Sequence, residues 1–211
     1  MKSDNLLLTI AVLAVAASLI ATGFTYFSLV NLAAQISGYA TSTGQANLTV
    51  ESQASINFTK SFVNWGSGML NPGGTAASLT TFETNNVSGG NWTLSGAGGL
   101  QIENIGNINI SLNLTGAKTA VQFIGGTNSV YKWNITNVEA GSCINGTAAS
   151  SGNLDLNTFH NVNISIGASI VCPTFRFETG NDLIRIDFNL TIPEDSLTGA
   201  LTDTITATAY V

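Results

Sequence analysis

The chain has 211 residues, six Lys and Arg against twelve Asp and Glu, and only 9% charged residues, where ordinary soluble proteins carry about 25%. Sparse, acidic charge with no basic patch argues against a phosphate backbone as partner. The polar remainder is mostly Asn, Ser, Thr and Gly, which suits an extracellular face, a glycosylated face, or a surface packed against copies of itself.

The first element is the stretch Leu6 to Phe27, which lacks Asp, Glu, Lys, Arg, His and Pro. About 22 residues at 1.5 Å rise make a helix of about 33 Å, close to the ~30 Å hydrocarbon core of a bilayer. Lys2 is the only basic side chain before Lys60. The positive-inside rule therefore places the amino terminus in the cytoplasm and the rest outside, with Phe24, Tyr26 and Phe27 at the outer interface. Ala14-Val15-Ala16 fits a signal-peptidase site, but the sequence stays apolar for about ten residues more, which favours a retained helix. Helical spacing continues through Ser28, Asn31 and Gln35. These features predict a signal or transmembrane helix over residues 1–35, a small polar spacer over 36–46, and an exported domain over 47–211.

Period-two alternation dominates from there. Leu48, Val50, Ala54, Ile56 and Phe58 share one face of an expected first strand, Asn47 to Thr59. A loop with strong turn chemistry follows, Asn64 to Gly74. Leu79 to Glu83 is a predicted strand, Asn85 to Gly90 a turn, and Trp92 and Leu94 alternate with polar neighbours. Leu100 and Ile102 open another strand. The phase slips at Asn104-Ile105-Gly106-Asn107, which predicts a bulge or tight turn, and resumes with Ile108, Ile110, Leu112 and Leu114. Further inward sets are Tyr131, Trp133 and Ile135; Val162, Ile164 and Ile166; Phe175 and Phe177; and Ile184, Ile186, Phe188, Leu190 and Ile192. The last strand runs from Leu201 to Val211. Eight to ten short strands without helical pattern between them predict an all-β fold, an antiparallel β-sandwich of jelly-roll or Ig-like type. In it Asp187 faces solvent.

Two cysteines, Cys143 and Cys172, follow the apolar stretch, and in an exported domain they form one disulfide. Ten Asn-x-Ser/Thr triplets occur, at Asn47, Asn57, Asn86, Asn91, Asn109, Asn113, Asn134, Asn145, Asn163 and Asn189. Composition alone predicts about five. Eight of the ten lie on the polar face of an alternating strand and two in turn-like segments. The doubled count points to N-glycosylation of an exposed surface, although Asn and Thr two apart share an outward face in any strand.

Catalytic chemistry is missing from the pattern. His160 is the single histidine and reads as a loop or strand-edge residue. No Gly-x-Ser-x-Gly elbow, paired zinc ligands or phosphate loop occurs. Asp182, Asp187, Glu194 and Asp195 are candidate calcium ligands, weighed against solvated turn charges. Trp65, Trp92 and Trp133 are candidate sugar-stacking residues, weighed against core tryptophans. The expectation is a protein that is not an enzyme and needs no cofactor.

Three stretches together carry a family resemblance. They are Val63-Asn64-Trp65-Gly66 with Asn71-Pro72-Gly73, Leu100 to Leu114 (LQIENIGNINISLNL), and Leu190 to Tyr210 (LTIPEDSLTGALTDTITATAY). The set resembles TasA/camelysin-like and archaeal thread-like secreted fibre subunits. The resemblance implies a membrane-exported cell-surface subunit, a homo-oligomer or filament built by donating a β-strand to a neighbour. The donor expected here is Asn47 to Thr59, released by the polar spacer. Two alternatives stand beside it. One is a type IV pilin or archaellin-like subunit assembled through its helix, although no Lys-Gly or Arg-Gly cleavage site precedes the apolar run. The other is a membrane-stalked adhesin that binds glycans.

Overall fold

The computed structural model describes residues 3–36, 44–96, 98–144, 154–165 and 169–211. The chain divides into two compact units, Met1–Thr49 and Val50–Val211. In the first, helix α1 spans Ser3–Ile36. Its stretch Leu6–Asn31 has mean hydropathy 2.4 and is long and apolar enough to cross a membrane. The hydroxyls of Thr22, Thr25 and Ser28 donate to the carbonyls of Ser18, Ala21 and Phe24, one turn back. They are thus satisfied within the helix, as a lipid environment requires. The predicted spacer falls largely on residues 37–43, outside the described residues.

The second unit is built, in chain order, from β1 (Ile56–Lys60), β2 (Ala76–Thr80), β3 (Asn86–Ser88), β4 (Leu100–Asn104), β5 (Ile110–Gly116), α2 (Ala120–Phe123), β6 (Val130–Asn137), β7 (Cys143–Ile144), β8 (His160–Asn161), β9 (Ile170–Phe175), β10 (Leu183–Pro193) and β11 (Ile205–Tyr210). They make two antiparallel sheets. Seven strands, β1, β4, β10, β2, β3, β6 and β8, form the larger; β11, β5, β9 and β7 form the smaller, in that order. Both feed one apolar core, with Leu79, Ile102, Trp133, Ile184 and Ile186 from the larger sheet and Leu112, Leu114, Val171 and Phe175 from the smaller.

Strand β10 organises the larger sheet. β6 lies along one side of it, pairing from Ile184↔Asn137 to Thr191↔Val130. On its other side two strands follow end to end: β4 pairs with Leu183–Ile186 and β2 with Asn189–Pro193. Asp187 and Phe188 fall in the gap between them. Thr81 closes one half: its backbone N–H donates to the Phe188 carbonyl, and its Oγ1 accepts from the Phe188 N–H at 2.8 Å. Asp187 closes the other. Its Oδ1 accepts from Thr81 Oγ1 and the Gly99 N–H, each at 3.0 Å, and its Oδ2 from Arg185 Nε at 2.7 Å. Asp187 is 0% exposed, so the outward parity of the sequence did place it on the polar face, but that face is covered here. Gly99 has to be glycine: a Cβ there would lie 1.8 Å from the Ile186 carbonyl oxygen.

The slipped phase at Asn104–Asn107 is a tight turn that carries the chain from β4 in one sheet to β5 in the other. Asn104 is buried. Its Oδ1 accepts from the Gly106 N–H, and its Nδ2 donates to the carbonyls of Ile108 and of Phe175 in the smaller sheet. Asn107 faces the other way: its side chain accepts from the Gln53 N–H and donates to the Glu51 carbonyl. Cys143 and Cys172 are joined, with Cα atoms 5.6 Å apart. This disulfide links β7 and β9 across a sequence separation of 29, worth about 3–4 kcal/mol on the chain-entropy account.

Several expected strands are shorter or displaced. Of Asn47–Thr59 only Ile56–Thr59 is strand, paired within its own sheet with β4; Leu48 and Val50 are 88% and 74% exposed. Asn86–Ser88 pairs with β2 where a turn was expected. Val162 is buried but lies outside any strand, Ile164 is exposed, and Ile166 lies outside the described residues. The last strand begins at Ile205 rather than Leu201. Helix α2 is an addition, a single turn that Thr119 and Gln122 cap reciprocally.

The junction in β10 gives a prediction. Phe188→Ala removes a core ring stacked on Tyr131 at a centroid distance of 5.9 Å and is expected to cost about 3–5 kcal/mol. Asp187→Ala strands Arg185 and the Gly99 N–H and is expected to cost about as much, roughly 3–5 kcal/mol. Urea unfolding of the two variants checks this. A loss within about 0.5 kcal/mol at Asp187, as at a surface site, would show that the gap in the ladder is closed without it.

Candidate functional site

The sequence-predicted residues do not converge on one place. Among the sequons, Asn47, Asn57, Asn86, Asn91 and Asn109 are exposed, and Asn163 and Asn189 are half-buried. Asn113 and Asn134 keep the expected outward parity, opposite to Leu112 and Leu114 and to Trp133 and Ile135, but are only 5% and 1% exposed, contrary to the expected exposure. Asn145 lies outside the described residues. His160 sits on the edge strand β8 with Nε2 3.2 Å from the Asp155 carbonyl oxygen.

The four carboxylates considered for calcium have separate engagements. Asp187 is held as described. Asp195 accepts from the Thr127 N–H and hydroxyl, and those bonds lower its pKa. Glu194 is exposed. Asp182 is buried, and its backbone N–H donates to Glu139 Oε2. Burial first, then the hydrogen bond and charge of Glu139, and finally the charge of Glu103, raise its carboxyl above the usual range. No group of three or more ligating side chains suited to a metal occurs among the described residues.

The feature that does gather residues from many elements is an open groove over the apolar face of the larger sheet. Two adjoining cavities make it, of about 730 and 520 Å³, sharing Asn64, Trp65, Gly66, Phe123 and Leu201. Leu79 of β2 and Leu190 and Ile192 of β10 line the first; Leu100, Tyr131 and Phe188 line the second. The rest of the lining comes mainly from two segments outside the strands, 61–70 and 196–204. Trp92 lines the groove with its ring packed against Gly68 and Gly90, where a Cβ would come within 2.4 Å of it. Trp133 instead is fully buried in the core, so the three tryptophans separate into one core residue and two groove residues.

The smaller sheet ends at β11, which pairs only with β5, so the lining beside it comes from segments outside the strands. Upstream of β11, Thr198, Gly199, Ala200 and Leu201 make no backbone hydrogen bond among the described residues. Within the second cavity the carboxylate oxygens of Asp203 are buried beside the Tyr131 phenol. That phenol is pushed far above the usual phenol range, by burial first, then by the Asp203 charge and by its hydrogen bond to the Asp203 carboxylate. Sequence reading missed the groove because it depends on which strands stop early. The signal available was the pairing of Trp65 and Trp92 with glycine-rich neighbours.

Two predictions follow from these placements. Asp182 has a folded pKa raised above its unfolded value, so the protonated carboxyl is favoured by folding. The associated stability is full below the unfolded pKa of about 3.9 and is lost as pH rises through the folded value. Asp182→Asn, which can donate to Glu139 without a charge, is therefore expected to raise the urea midpoint at pH 7, with the gain fading as pH approaches 4. A gain that does not depend on pH would separate it from this carboxyl. For the sequons, intact glycopeptide mass spectrometry of protein from its native host is expected to find glycan only at exposed positions, with Asn113 and Asn134 bare. Occupancy at either buried position in folded protein would contradict the packing described.

No family model, no curated protein and no solved structure matches this chain.

Proposed function

We propose that the protein is an exported structural subunit of the cell surface, which assembles into a filament or envelope layer by placing a strand of one copy in the groove of the next. The observation that carries this reading is the presence of an open groove and an exposed apolar segment on the same chain. Leu48 and Val50 are two apart on a segment with no regular structure. The groove offers an apolar floor, and Thr198–Leu201 offer unpaired backbone. An extended segment there would gain ladder bonds along one edge and bury alternate side chains below, the usual economy of strand addition. It would also cover Phe62, Met69, Leu197 and Leu201, apolar side chains that stand exposed around the groove while its floor is already buried.

The donor is narrower than the alternating sequence suggested. Ile56–Lys60 belongs to its own sheet, and Asn107 ties down Glu51 and Gln53. The part free to leave is therefore 44–50. We read the two-sheet unit as a β-sandwich left open on one side, with α1 as a signal or membrane anchor. The buried disulfide fits an oxidising, extracellular setting. Neither catalytic machinery nor a cofactor enters this reading.

A second reading keeps the groove and changes its occupant. Trp65 and Trp92 line it with Asn64, Glu194, Ser196 and Thr198, a mixture suited to stacking and hydrogen bonding a glycan on a membrane-stalked module. One experiment separates the two. A photo-crosslinking amino acid replaces Leu48 in the full chain, purified in detergent, and linked peptides are mapped by mass spectrometry. Strand donation is expected to give interchain products joining position 48 to groove residues such as Leu190, Ile192 or Leu201. Monomers that crosslink only to detergent or within one chain would overturn it and leave the glycan reading, which intrinsic tryptophan fluorescence with oligosaccharides would then test.

A further inference from the structure

The unpaired backbone of an edge strand is a template for another chain unless something blunts it. The other edges here are blunted. β3, β7 and β8 have three, two and two residues. β1 shifts register between Phe58 and Lys60 and ends on a lysine. β11 differs from all of them. It runs six residues, Ile205–Tyr210, keeps an unbroken register along β5, its only partner, and carries no charge, proline or glycine. The Ala117 N–H donates to the Thr204 carbonyl, which sets the phase of this ladder. Thr204, Thr206, Thr208 and Tyr210 therefore turn their backbone groups to β5, and Ile205, Ala207 and Ala209 turn theirs to the open side. Among the described residues nothing bonds to those three there. Their side chains pack against the core yet stay half-buried, whereas Leu112 and Leu114, opposite Ala209 and Ala207 on β5, are 0% exposed.

We propose that β11 is a self-complementary interaction surface: it pairs antiparallel with β11 of a second copy about a two-fold axis through Ala207, joining the two smaller sheets into one. This goes beyond strand donation and needs neither the groove nor the segment 44–50. The occupant follows from the order of the residues. The run held against β5 is Thr204 to Tyr210, and Ala207 is its middle. About that point Ile205 falls opposite the second copy's Ala209, and Ala207 opposite its own counterpart. The three open N–H and three open C=O groups of each copy thus meet those of the other. A register moved by one residue sets them against groups already turned to β5. On the outer face Thr206 meets the second copy's Thr208, a neutral cross-strand pair of the kind that stabilises sheets. On the core side a large residue, Ile205, meets a small one, Ala209. The nearest charges, the two Asp203 carboxylates, stand at opposite ends of the junction, roughly 27 Å apart at strand rise, where salt screens them. An isologous contact of this form closes as a dimer.

The test uses the full chain in detergent, with a photo-crosslinking amino acid in place of Tyr210, whose side chain is exposed. Self-pairing is expected to give interchain products that join position 210 to Thr204 and its immediate neighbours. Ala207→Pro removes an outward N–H and leaves the ladder to β5 intact, as proline does on an edge. It is expected to keep the fold and to raise the concentration needed for these products about ten-fold or more. If Ala207→Pro does not fold, charge carries the comparison. Thr206→Lys with Thr208→Lys sets like charges opposite each other across the junction and should abolish the products. Thr206→Lys with Thr208→Glu sets opposite charges there and should restore them. Absence of the products, their mapping elsewhere, or their persistence at unchanged concentration in folded Ala207→Pro or the double-lysine variant would overturn self-pairing. The products from position 48 expected of strand donation do not depend on β11, so each contact stands or falls on its own.

Discussion

The fold depends on how one long strand keeps its backbone paired on both sides. β10 has eleven residues, and no single neighbour follows it all the way on the side of β2 and β4. At the seam its backbone would be left without partners in a covered region, where each unmet group costs about 1–3 kcal/mol. Thr81, Asp187 and the Gly99 N–H fill that seam with side-chain bonds. Arg185 neutralises the carboxylate that the solution requires. A buried ion pair of this kind adds little net stability compared with an apolar substitute; its value lies in fixing where β2 ends and β4 begins. Because the seam is closed from the outer face, the inner face runs from Ile184 to Ile192 as one apolar row.

That continuous row has a consequence for the second sheet. The smaller sheet that packs on this row stops at β11, which has a strand partner on one side only. The polypeptide next to β11 is in the right place to continue the cover, but Thr198–Leu201 leave their backbone groups unpaired. Pro193, the Asp195–Thr127 bonds and the Leu197 N–H to the Ile124 carbonyl anchor the start of this segment. The Thr204 carbonyl, which accepts from the Ala117 N–H, anchors its end. A span held at both ends and unpaired between them is the kind of local feature that a binding surface needs: positioned, yet with its hydrogen-bonding capacity unspent.

Much of this was legible from residue spacing. The charge-free run gave α1, period two gave β4, β5, β6 and β10, and the slip at Asn104–Asn107 gave the corner between sheets. What alternation could not give was the cover on the outer faces. Asp187, Asn113 and Asn134 have outward parity and are buried all the same, because alternation reports which side a residue takes and not what lies beyond it. The first strand failed for a related reason. Leu48 and Val50 continue the apolar row of Ile56 and Phe58, but the pairing with β4 begins only at Ile56, so the pattern outruns the pairing. The groove could not be read at all, since its walls are segments outside the strands, 61–70 and 196–204, that carry no periodic pattern. The cysteines were readable because an exported chain with two of them has one pairing.

The mismatch between pattern and pairing is also where the strand-donation reading draws its force. An apolar alternation that extends beyond its own sheet is a liability in a protein that acts alone, exposed to any open strand edge. It is economical in one that meets copies of itself. The free segment begins eight residues after Ile36, the end of α1, so donor and anchor are neighbours in sequence. The sparse charge of the domain fits the same setting, because like-charged copies packed side by side would repel.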